Sequence, residues 1–173
     1  MKGGAKKITV LAAFTAISLV MFTVESLIPT FIPGAKIGLS NVFTLLALFL
    51  LGPYDAVILV VVRTVLGSII GGNLSAIMYS LTAGIVSLAV SVVLYRFAFG
   101  KVSITALSVS AAVVHNIVQT AVFCLVTGTT QWFYYLVYLV PIGIISGLCV
   151  GVITLAMIKY IPVSFFEKYI VIR

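Results

Sequence analysis

Acidic side chains are almost missing from this chain: Glu25, Asp55 and Glu167 are the whole supply among 173 residues. Carboxylates so far apart cannot form the clustered aspartates that hold magnesium against a diphosphate, so no intrinsic diphosphate-transferring or hydrolysing centre is expected. His115 is the only histidine, and no H-E-x-x-H zinc site occurs. No G-x-x-x-x-G-K-[ST] phosphate loop occurs either, so the chain does not hydrolyse ATP by that route and any active transport must borrow its energy. The two cysteines, Cys124 and Cys149, have neither a C-x-x-C partner nor a metal-ligand spacing and are expected to be packing residues. The expectation is a chain that is not an enzyme and holds no metal or cofactor.

Charge of any kind is scarce, at 8% of residues, while 63% are hydrophobic. An ordinary globular domain is about half apolar and about a quarter charged, so no water-soluble surface can be built from this supply. Apolar runs follow one another, and a crossing of ~30 Å of hydrocarbon needs about 20 residues. Backbone groups in lipid must bond internally, so the runs read as bundled helices forming a single transmembrane domain over 1–173. The formal charge of +7 would suggest nucleic acid in a soluble protein. Here the bases sit between runs: Lys2, Lys6 and Lys7 at one end, Arg96 and Lys101 about one loop, and Lys159, Lys168 and Arg173 at the other end. That is the pattern of charges retained on the cytoplasmic side, and no nucleic-acid partner is expected.

The apolar runs cover about 8–28, 41–51, 54–70, 74–94, 102–126 and 132–158. Pro29 and Pro33 stop the first, which is read as a retained span because no small-x-small cleavage site follows it. The second is short for a crossing. If it crosses, six spans put both termini and the Arg96 loop in the cytoplasm; if it does not, the last two basic groups face outward, against the positive-inside tendency. Six spans is therefore the expectation, with burial against neighbours or local thinning absorbing the mismatch. Trp132, Tyr134, Tyr135 and Tyr138 open the last run and read as an interfacial anchor.

Two ridges of small residues stand out. Gly143, Gly147 and Gly151 recur every fourth residue and suit close internal helix packing. Ala12 and Ala16, with Ala13 beside them, could face a sister helix or another subunit.

Arg63 lies about 12 Å from the inner edge at 1.5 Å per residue, near the bilayer midplane. Burying arginine there is charged roughly 2.5–3.5 kcal/mol on insertion scales, so it is expected to face the bundle interior or a wet cavity. Its structural alternative is a buried ion pair, for which Glu25 is the available acid. His115 and Gln119 share a helix face with Asn116 beside them, and Ser108 lies two turns below His115. Such residues also serve as ordinary interhelical hydrogen bonds. In the six-span reading Lys36, Asn41 and Asn73 lie at the outer face, and Arg63, Tyr79, His115, Asn116 and Gln119 lie in the outer half. Together they describe a pocket whose excess charge is positive, suited to an anion, with Lys36 in a loop that could close over it.

The segment 34–48, GAKIGLSNVFTLLAL, followed by Gly52-Pro53-Tyr54-Asp55-Ala56, resembles the Gx transporter family, often labelled heptaprenyl diphosphate synthase component I. That family is related to the substrate-binding S components of energy-coupling factor transporters. The resemblance covers nearly the whole chain and implies an all-α, six-helix membrane bundle in a bacterial cytoplasmic membrane. It further implies capture of a vitamin-like micronutrient from outside and docking on a transmembrane T component driven by two ATPases. Ala12 and Ala16 match the family's docking ridge, and the loop around Lys36 matches its lid. The leading reading is an importer subunit for an anionic or amphiphilic small molecule; the synthase label adds the alternative of a noncatalytic membrane subunit of isoprenoid or quinone biosynthesis, and a structural assembly factor is the third reading.

Overall fold

A computed structural model describes residues 2–27, 38–72, 74–98 and 102–160. Lys36 and Asn73 lie outside the described residues, and so does the expected lid around Lys36.

Among the described residues six helices run in sequence: α1 (Lys2–Leu27), α2 (Leu39–Leu50), α3 (Pro53–Ile70), α4 (Ser75–Ala98), α5 (Ile104–Thr127) and α6 (Leu136–Tyr160). A short 3-10 turn, Gln131–Tyr135, leads into α6. Their boundaries follow local chemistry. Pro53 occupies the first turn of α3, where its missing N–H removes no helical bond. The Ser103 hydroxyl accepts from the Ala106 N–H at 3.1 Å and caps α5, which ends at Gly128 in the left-handed conformation.

Five helices are long and apolar enough to cross a membrane; α2 is the shorter exception. Its twelve residues reach only about 18 Å. Its surroundings explain why that length is tolerated. From Val42 to Leu51 no side chain is more than 8% exposed, and Leu46, Ala47, Leu48 and Phe49 are wholly enclosed. A helix apolar on every side belongs inside a bundle. With protein rather than lipid along its length, α2 need not match the hydrocarbon thickness.

The packing closes a ring: α2 against α3, α3 against α4, α4 against α5, α5 against α6, and α6 back against α2. α1 lies outside that ring, on α2 and α3. α5 and α6 approach each other closely along the glycine ridge. A Cβ on Gly147 would stand 2.7 Å from the Val109 Cα, and one on Gly151 2.7 Å from the Thr105 Cα. The ridge thus serves internal packing, as the spacing suggested. Ala12, Ala13 and Ala16 are all exposed, so no described part of this chain covers that ridge.

Candidate functional site

Asn41 and Arg63 each lie eleven residues from Gly52, the turn between α2 and α3. At 1.5 Å per residue both rise about 16 Å from that turn, which brings them to one height on facing helices. There Arg63 Nη2 donates to Asn41 Oδ1 at 3.1 Å. Gly38 sets the start of α2: its left-handed φ of 79° suits a residue without Cβ, and its carbonyl accepts from the Asn41 N–H at 2.8 Å.

Glu25 completes this corner. Its Oε1 accepts from the Leu39 N–H at 2.6 Å, placing a carboxylate at the positive end of α2. Its charge also acts on the Arg63 guanidinium. Nearby, the Ser18 hydroxyl donates to the Ser40 carbonyl at 3.0 Å, a second tie from α1 to the same helix end. The ion pair expected of Glu25 is therefore shared work: the carboxylate caps α2 while Asn41 receives the guanidinium's hydrogen bond.

Arg63 is 3% exposed, and its Nε and Nη1 have no hydrogen-bond partner among the described residues. Buried guanidinium N–H groups are ordinarily satisfied, so two left open call for a partner. Arg63 lines two small hollows. One, of ≈ 50 Å³, is lined by Glu25, Asn41, Arg63, His115, Asn116 and Gln119, among others. The other, of ≈ 40 Å³, lies towards Thr44, Ser87, Ser91 and Ser108. Each is large enough for water, which needs about 10–15 Å³ by this measure. The Thr44 hydroxyl, buried in the wall of the second hollow, likewise lacks a partner among the described residues.

A third hollow of ≈ 240 Å³ adjoins the first, sharing Asn116 and Gln119 with it. Tyr79, Phe123, Trp132 and Tyr135 supply half of its lining residues. Phe123 meets Tyr79 at 5.4 Å and Trp132 at 5.0 Å between centroids, both nearly edge-on, and Trp132 stacks on Tyr135 at 5.3 Å. Asn116 is fixed between the hollows because its Nδ2 donates to the Leu139 carbonyl at 2.7 Å.

Of the residues singled out in the sequence, Asn41, Arg63, His115, Asn116 and Gln119 come together around one hollow, and Tyr79 lines the adjoining one. Phe123, Trp132 and Tyr135 were not assigned to the pocket. Tyr134 and Tyr138 are turned outward, as an interfacial anchor requires; Trp132 is half-buried and Tyr135 still partly exposed, and both line the hollow. The spacing of Asn116, Gln119 and Phe123, at i, i+3 and i+7, places all three on one face of α5 and was the available signal.

Residues 14–157 match the family model described as heptaprenyl diphosphate synthase component I. No curated protein and no solved structure matches the chain.

Proposed function

The chain belongs to the heptaprenyl diphosphate synthase component I family, and on that premise we propose that it is the substrate-binding subunit of an energy-coupling-factor type importer, capturing a small anion. The observation that carries this reading is Arg63, buried beside water-sized hollows with Nε and Nη1 open. A guanidinium in hydrocarbon is costly unless it faces a wet or ligand-bearing cavity, and an anion gives it charge-assisted bonds.

In this reading all six helices cross the bacterial cytoplasmic membrane, both termini are cytoplasmic, and the hollows face outward. The 2.6 Å bridge from Lys7 on α1 to Asp55 in the first turn of α3 supports it, because it joins the starts of two helices at one end of the bundle. The subunit performs no chemistry of its own. A transmembrane T component and two ATPases supply the energy, and the uncovered Ala12 and Ala16 ridge is the docking face.

The family's description supports a second reading, a noncatalytic membrane subunit of polyprenyl diphosphate synthesis. Mass spectrometry of small molecules retained by the purified protein separates the two. The importer reading expects a compact anion that is lost when Arg63 is replaced, and co-purification with a T component. A polyprenyl species retained with a soluble synthase, and no T component, would overturn it.

A further inference from the structure

We propose that the aromatic hollow is the second half of the Arg63 site, so that the ligand is an anionic group carried on a planar ring with a hydrogen-bonding edge. This rests on the reading of Arg63 as the anion's partner. The two compartments are neighbours that share Asn116 and Gln119 in their linings, and in this proposal one molecule lies across both, against the Gln119 side chain. The hollow at Arg63, ≈ 50 Å³, suits a carboxylate or phosphate head; the aromatic one, ≈ 240 Å³, suits the body.

The chemistry of the larger wall selects a ring over a chain. Four of its side chains are aromatic and Leu139 is the one aliphatic among those lining it. Aromatic walls favour a flat guest that can stack or meet them edge to face. Gln119 has no hydrogen bond among the described residues, and Asn116, with its nitrogen engaged, presents its oxygen as an acceptor. A threaded acyl or prenyl chain would shield both amides and leave them unsatisfied, whereas ring nitrogens, carbonyls or amino groups would pair with them.

Trp132 is the only tryptophan and therefore a built-in reporter on this wall. The test is a titration of the detergent-purified protein, by Trp132 emission and by calorimetry. The probes are one- and two-ring aromatic carboxylates and phosphates, the corresponding neutral amides and alcohols, and straight-chain carboxylates and alkyl phosphates of equal carbon number. Aromatic anions of one head-group type should saturate at least tenfold more tightly than both control sets. Phe123→Leu should erase their advantage over straight chains, and Tyr79→Phe, which keeps the ring, should preserve it. Straight-chain anions binding as tightly, still dependent on Arg63, would overturn the ring assignment and leave anion capture standing. Neutral rings binding as well as their anions, or no anion binding at all, would overturn the premise together with it.

Discussion

Removing Arg63 alone confounds two effects, because Glu25 is 5% exposed and would be left as a buried charge without its cation. Breaking one side of a buried pair destabilises by about 3–5 kcal/mol. The informative variant is Arg63→Met with Glu25→Gln, since the glutamine oxygen can still accept from the Leu39 N–H. If Arg63 is held for a ligand, the doubly substituted apo protein should melt at or above the wild-type temperature while anion affinity falls. Hydrogen bonds to a charged group contribute roughly 1.5–3 kcal/mol, so the fall should be about 10- to 100-fold. A fold that depended on the guanidinium would instead melt lower with affinity unchanged. Asn41→Ala tests the neighbouring bond: with Nη2 also left open, the protein should lose about 1–3 kcal/mol in a reversible detergent unfolding titration. Arg63→Lys should restore charge without the planar fork and recover only part of the binding.

The glycine ridge of α6 is the sharpest test among the elements. A Cβ at Gly147 would meet the Val109 Cα at 2.7 Å, and backbone cannot rotate away as a side-chain tip can. Gly147→Val should therefore force α5 and α6 apart and destabilise by roughly 1–3 kcal/mol, the usual range for overpacking. Its thermal midpoint, set beside that of Ile145→Val on the exposed face of the same helix, would show whether the effect comes from contact rather than propensity. The spacing of the ridge and the stop at Gly52-Pro53 were readable because they express fixed helical geometry, and the five long spans because lipid demands apolar length. Burial of α2 on all sides also has a sequence signature, its apolar run from Val42 to Leu51 interrupted only by Thr44. The aromatic hollow was hidden for a physical reason. Trp132 and Tyr135 stand in a 3-10 turn from which Trp132 meets Phe123 of α5 and Tyr135 stacks on Trp132, and helix periodicity carries no information about where such a turn points its residues. Tyr134 and Tyr138, exposed as belt residues should be, have the same composition signal as the two that line the hollow.

At the scale of the molecule, everything about access depends on which end of the ring faces out. Asn41 and Arg63 sit about 16 Å from the α2–α3 turn, so in the importer reading a ligand enters from the opposite end to that turn. Tyr54 marks the turn end and is 86% exposed; Tyr134 marks the other and is 79% exposed. In a background with Cys124 and Cys149 replaced by serine or alanine, Tyr134→Cys should react with a membrane-impermeant maleimide on intact cells, whereas Tyr54→Cys should react only after permeabilisation. A chain in which α2 did not cross would invert both results, since α3 would then begin outside and the turn before α6 would lie inside. The Lys7–Asp55 bridge gives an independent handle on the same arrangement. Lys7 is partly exposed, so the pair is worth about 0.2–1 kcal/mol, too little to hold the bundle together, and Asp55→Asn should barely move the melting temperature. A cross-link between Lys7→Cys and Asp55→Cys should nonetheless form readily in membranes if α1 and α3 start on one side. A protein in which that cross-link failed while Tyr134→Cys remained protected in intact cells could not present Arg63 to an extracellular ligand.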